Sequence, residues 1–103
     1  MKKYRWIFDK SVEIEAIKFT NENKNQVYNW AKSIQANVWH DWDENKQPIL
    51  KIPTVKGTEI TCSFGDYLVK ELLPISWQKL YSCKATIFEQ SYEEFMVQPI
   101  KFK

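Results

Sequence analysis

Gly65-Asp66 opens the stretch that most limits how this chain can fold. Glycine reaches positive φ without a Cβ clash, and aspartate can bond its own backbone two residues on, so the pair marks a turn. Tyr67, Leu68, Val69 and Lys70 follow with strand chemistry, and a second strand-like run, Trp77 to Cys83, lies beyond a break at Leu73-Pro74. The two runs read as a β-hairpin. After Cys83 the spacing changes. Ile87 and Phe88 adjoin, and Tyr92 follows Phe88 by four residues, as on one face of a short helical turn at about 84–90 that closes the sheet.

The preceding residues supply more strands and one helix. Lys3 to Phe8 and Val12 to Phe19 are strand candidates separated by a tight turn at Asp9-Lys10-Ser11. Val12, Ile14, Ala16 and Lys18 alternate against Glu13, Glu15 and Ile17, which predicts one apolar face and one wet face. Thr20 or Asn21 can cap a helix over 22–35, in which Val27, Trp30, Ala31 and Ile34 form the buried stripe. Val38 and Trp39 start a further strand, Asp43 to Gln47 form a polar turn, and Ile49, Leu50 and Ile52 return. Pro48 and Pro53 at the ends of that return predict an edge strand, because proline cannot donate a ladder hydrogen bond. Lys56-Gly57 turns the chain into a half-buried strand over 58–63, and Phe95 to Ile100 reads as a last strand before a short basic tail. The expected fold is one α+β domain over residues 1–103. It has a bent, mostly antiparallel sheet of about five to seven strands carrying one main helix, with a partly closed barrel as the alternative.

Composition removes several classes of function. At 103 residues there is room for one core, and no run approaches the roughly 20 apolar residues of a membrane span. The basic start Met1 to Trp6 lacks the apolar stretch of a signal peptide, so a cytoplasmic protein is expected. Cys62 and Cys83 are too few and too far apart for a zinc site, and read as free thiols in a reducing compartment. Two glycines in the whole chain leave little material for a phosphate-binding loop. A net charge of +2 does not argue for nucleic acid without a clustered basic face. The unusual quantity is the aromatic content, 16% with five tryptophans.

Candidate site residues follow from that content. His40, the single histidine, lies between Trp39 and Asp41-Trp42-Asp43, where a carboxylate can orient it as a general base, yet no motif supplies a nucleophile. Asp41, Asp43 and Glu44 lack the spacing of a calcium loop and read as a solvated turn. Asp66 reads as a backbone cap. Enzymatic activity, metals and cofactors are not expected. Trp39, His40, Trp42, Trp77 and Tyr81 are the candidate binding residues, because tryptophan and tyrosine bury large area at little rotamer entropy. Trp30 belongs to the core. Lys79, Lys84, Lys101 and Lys103 beside Trp77 and Tyr81 keep single-stranded nucleic acid as an alternative ligand.

Four segments occur together in one order: Val12-Glu13-Ile14-Glu15-Ala16-Ile17-Lys18-Phe19-Thr20; Ile52-Pro53-Thr54 with Gly57; Gly65-Asp66-Tyr67-Leu68-Val69-Lys70; and Tyr81-Ser82-Cys83-Lys84-Ala85-Thr86-Ile87-Phe88-Glu89 with Tyr92-Glu93. This set resembles a family of small phage and prophage proteins, whose pattern runs "V-x-x-E-A-I/V-x-F-T", "P-T-x-x-G", "P-G-D-Y/W-I-V-x-G" and "Y-P-C-K-P-D-I-F-E-x-T-Y-E". The resemblance covers about residues 12–93. Phe64 stands where the family has proline, Ser82 and Ala85 replace two prolines around Cys83, and Glu71 to Gln78 is longer than the family's hairpin. The resemblance implies a phage origin without implying an activity. With it, the leading expectation is a small non-enzymatic protein that binds and modulates a host bacterial protein, such as a defence or replication factor. The alternatives are a single-stranded nucleic-acid binder and, behind it, a hydrolase or nucleotide pocket using His40.

Overall fold

The computed structural model describes residues 1–71 and 79–94. Eight strands and two helices run in the order β1 (Lys2–Trp6), β2 (Asp9–Lys18), α1 (Lys24–Ile34), β3 (Trp39–Trp42), β4 (Pro48–Pro53), β5 (Glu59–Cys62), β6 (Tyr67–Glu71), β7 (Leu80–Cys83), α2 (Ala85–Ser91) and β8 (Tyr92–Glu94). The strands form two antiparallel sheets, one of order β7-β6-β2-β1-β8 and one of order β3-β4-β5. The α+β class holds, with two sheets in place of one bent sheet. Neither closes into a barrel. The sheets meet where the Ser82 hydroxyl on β7 donates to the Thr61 carbonyl on β5 at 2.9 Å.

The five-stranded sheet is covered on both faces. Ile14, Ala16, Tyr67 and Val69 face Phe88 of α2, while Phe19, Leu68 and Leu80 join Val27 and Ala31 of α1 and Val38, Leu50, Ile52 and Cys62 around the three-stranded sheet. Ile17 also packs on that second side, so the face expected to be wet is dry toward Phe19 and keeps only a polar end, where Glu15 meets Lys70 at 4.0 Å. Phe88 stacks on Tyr67 with centroids 4.0 Å apart and on Tyr92 at 4.9 Å, with Tyr4 edge-on at 4.8 Å. Tyr92 thus meets Phe88 as its spacing predicts, from the first residue of β8 and not from a helix.

Three further features differ from the sequence expectation. The first turn falls at Ile7-Phe8, because the pairing jumps from Arg5↔Glu13 to Trp6↔Asp9. That jump leaves Lys10, Ser11 and Val12 bulged, with Asp9 Oδ1 accepting from the Ser11 amide and hydroxyl at 3.0 and 2.6 Å, so Val12 is exposed. α1 starts two residues late. Thr20 and Asn23 exchange bonds across the lead-in turn, the Thr20 amide to Asn23 Oδ1 at 2.9 Å and the Asn23 amide to Thr20 Oγ1 at 3.3 Å. β4 is the central strand and not an edge, since its prolines sit at its two ends and leave the amides of Ile49 to Ile52 to the ladders. The Leu73-Pro74 break, Trp77 and the strand expected at 95–100 lie outside the described residues, and β7 is described from Leu80.

The Gly65-Asp66 turn behaves as expected. Gly65 has φ +94°, its amide donates to the Phe19 carbonyl, and the Phe19 amide donates to the Asp66 carbonyl, both at 2.8 Å. The Asp66 carboxylate is buried, accepts from the Ser63 amide at 3.0 Å and lies 3.2 Å from Lys84 Nζ. Both cysteines are free; Cys62 lies in the α1-side core and Cys83 packs on the opposite one.

Candidate functional site

β3 and β4 are joined by the five residues Asp43 to Gln47. The Lys46 amide donates to the Asp43 carbonyl at 2.9 Å and the Asp43 amide to the Gln47 carbonyl at 3.0 Å, with Lys46 at φ 61°. Asp43 Oδ1 also accepts from the Asn45 and Gln47 amides at 2.8 and 2.9 Å, which fixes the loop. In the strand so anchored, successive side chains alternate between faces. His40 and Trp42 therefore point to one side, toward α1, and Trp39 to the other. At the far end of α1, Gln35 Nε2 donates to the Pro53 carbonyl at 3.0 Å, holding the helix across β4.

Between α1 and the β3–β4 hairpin lies a cavity of about 380 Å³, at the lower end of the roughly 300–1,000 Å³ common for ligand pockets. Phe19, Ile49 and Leu50 are the buried groups of its lining, and Tyr28, His40 and Trp42 line it as rings. The His40 ring stands edge-on to both neighbours, 4.9 Å from Tyr28 at 79° and 5.6 Å from Trp42 at 87°. Trp42 remains 59% exposed despite this support. Lys24 also lines the cavity; its Nζ is held by the carbonyl and side-chain oxygens of Asn21 at 3.1 and 3.0 Å. Lys32 Nζ lies 5.7 Å from the Tyr28 ring centroid. A second hollow, of about 480 Å³, runs between the start of β1 and Asn23-Gln26, but its rings, Tyr4 and Tyr67, are already packed against Phe88.

Of the five expected binding residues the structure brings together His40 and Trp42. Trp39, 39% exposed, is on the opposite face of β3. Tyr81 is half-buried against the α2-side core, beyond the five-stranded sheet, where burial and the neighbouring Tyr92 and Glu71 push its phenol well above the usual range. Trp77 lies outside the described residues. The carboxylates beside His40 do not orient it: Asp41 Oδ1 accepts from the Trp42 amide at 2.8 Å, and Asp43 Oδ1 serves the loop. Among the described residues no three His, Cys, Asp or Glu side chains gather as a metal site, and no helix is long and apolar enough to cross a membrane.

Tyr28 is the cavity-lining ring that the sequence does not single out. It flanks the Val27 stripe on α1, and its signal is the helical spacing Lys24-Tyr28-Lys32, a mixed polar and aromatic edge beside the core stripe. Comparison of the chain with protein-family models, with curated proteins and with solved structures finds no match in any of the three, so the phage-family resemblance stands on the motif residues alone.

Proposed function

We propose that the chain is a non-enzymatic binding protein whose recognition surface is the cavity between α1 and the β3–β4 hairpin, and that its partner is a protein of a bacterial host. The observation that carries this reading is Trp42, a large ring held by His40 at the mouth of a cavity with buried apolar lining, yet left largely in water. Rings of this kind anchor interfaces, because burying one on association removes a large apolar area from water at little rotamer entropy. The host partner and the cytoplasmic setting follow from the resemblance to phage and prophage proteins.

The nucleic-acid alternative rests on Lys79, Lys84, Lys101 and Lys103 beside Trp77 and Tyr81. Of these, Lys84 pairs with Asp66 at 3.2 Å, Tyr81 packs on the α2-side core, and Trp77, Lys101 and Lys103 lie outside the described residues. Beside the cavity, Asp41, Asp43 and Glu44 put three carboxylates where they oppose phosphate. A hydrolytic role for His40 is less well supported, because no carboxylate is bonded to its ring. Capture from host lysate tests the proposal. A stoichiometric protein retained by the wild type and by Trp39→Ala, and lost by a folded Trp42→Ala, supports it. Equal capture by all three, or recovery only of nucleic acid that washes off with salt, refutes it.

A further inference from the structure

We propose that β3 accepts an extended segment of the partner as a fourth strand of the three-stranded sheet, and that this strand places an apolar side chain in the cavity. The inference rests on the binding reading above and adds the form and charge of the partner segment. Of the sheet's two outer strands, β5 abuts β7 through the Ser82–Thr61 bond. The outer edge of β3 carries no strand among the described residues.

The hydrogen-bonding phase of that edge can be read from the hairpin. The Asp43 amide bonds to Gln47, so Asp43 and, by alternation, Asp41 and Trp39 turn their backbone groups toward β4. His40 and Trp42 then turn theirs outward. Pro48, which has no amide hydrogen, lies across from Trp42, as a pair without ladder bonds allows. The outward Trp42 amide is occupied by Asp41 Oδ1 at 2.8 Å, an oxygen of the strand itself standing where a neighbour's carbonyl would sit. Left open are the amide and carbonyl of His40 and the carbonyl of Trp42, spaced two residues apart as a strand requires.

The residues that offer these backbone groups also aim their side chains at the cavity. A strand laid along β3 therefore sets every second side chain beside His40 and Trp42, over Tyr28 and Leu50. Its other side chains fall beside Asp41, which has no ion-pair partner among the described residues, and near Asp43 and Glu44. Lys51, on that same face, is already engaged by Thr61 at 2.7 Å and Glu59 at 3.3 Å. The complementary segment thus alternates apolar and basic residues. Backbone bonds give it affinity, and the cavity and carboxylates choose its sequence.

The blocked peptide acetyl-Lys-Thr-Lys-Phe-Lys-Val-Lys-Thr-amide tests this, titrated calorimetrically into the whole chain. Wild type is expected to bind, with hydrogen exchange at the His40 amide slowed at least tenfold at saturation. His40→Pro removes the outward donor but no bond to β4, so it is expected to fold and to lose binding by more than tenfold. His40→Ala keeps the donor and is expected to lose less than threefold. Asp41→Asn keeps an oxygen for the Trp42 amide and is expected to weaken this peptide while sparing one with Gln in place of each Lys. Strand addition is overturned if wild type does not bind the peptide or if His40→Pro binds as His40→Ala does. It is also overturned if light scattering shows that a second copy occupies the edge, as a dimer that His40→Pro disperses. The cavity reading survives any of these outcomes if a host protein is still captured in a Trp42-dependent way.

Discussion

The two loops that flank β4 make an internal experiment. Thr54 to Thr58 repeats the bonding of Asp43 to Gln47, with the Thr54 amide on the Thr58 carbonyl at 2.9 Å and the Gly57 amide on the Thr54 carbonyl at 3.2 Å. Gly57, at φ +81°, stands where Lys46 stands in the first loop, at φ 61°. A residue with a Cβ in the left-handed region costs roughly 1–2 kcal/mol, while glycine loses about 0.4–1 kcal/mol through the greater freedom of its unfolded chain. Lys46→Gly should therefore stabilise the protein by about 0.5–1 kcal/mol, which at this size raises Tm by roughly 3–6 °C. Gly57→Ala should destabilise it by the same amount, because a Cβ at Gly57 meets nothing within 4 Å and only the backbone term remains. The loops lie at opposite ends of β4, roughly 20 Å apart at the rise of a strand, so the double variant should melt near the wild type. Thermal melts followed by circular dichroism read all three. A Lys46→Gly protein that melts no higher than the wild type, together with a harmless Gly57→Ala, would refute the assigned left-handed conformations.

Phe88→Ala should cost about 3–5 kcal/mol in urea unfolding and Phe88→Leu about 1–2 kcal/mol, the latter through lost stacking on Tyr67 and Tyr92. Ile87→Ala, at a position 57% exposed on the same helix, should change stability by less than about 0.5 kcal/mol; comparable losses at the two sites would show that α2 is seated differently. Burial, with a smaller effect of Asp66, pushes the Cys62 thiol up to about 12. Because the folded value exceeds the unfolded one, the thiol's contribution is complete below the ordinary thiol range and is lost as pH rises from about 9 toward 12. The urea midpoint should accordingly fall more steeply above pH 9 in the wild type than in Cys62→Ala, and a thiol reagent at pH 8 should reach Cys62 only on unfolding.

The elements most legible in the sequence are those whose signal is local. The α1 stripe, the turn at Gly65-Asp66 and the loops at Asp43-Gln47 and Lys56-Gly57 depend on spacing and backbone chemistry within a few residues. Pro48 and Pro53 were misleading, because proline is excluded from the interior of a central strand and not from its ends. Trp39 and Trp42 are separated by an odd number of positions, so a strand through both must send them to opposite faces, and alternation alone could have divided the pair. Tyr28 and the cavity were not legible. They depend on how α1 lies across β4, which is set by contacts between segments distant in the chain, such as Gln35 with Pro53.

The edge strand β8 pairs with β1, and Arg5 meets Glu93 across 88 positions of sequence. The hairpins of the three-stranded sheet close over a few residues each, whereas β2 and β1 wait for β6 and β8. During synthesis at about 5–20 residues per second, the 76 positions between Lys18 and Glu94 correspond to about 4–15 s. Within that interval the β1–β2 hairpin gains β6 only when the chain has reached Glu71, 53 positions after Lys18, and Phe88 against Tyr4, Ile14 and Ala16 only 70 positions after it. The nascent chain is therefore most in need of protection at the Lys2–Lys18 hairpin, and a chaperone that shields it would raise the yield of folded protein more than one acting on the three-stranded sheet, whose hairpins close locally.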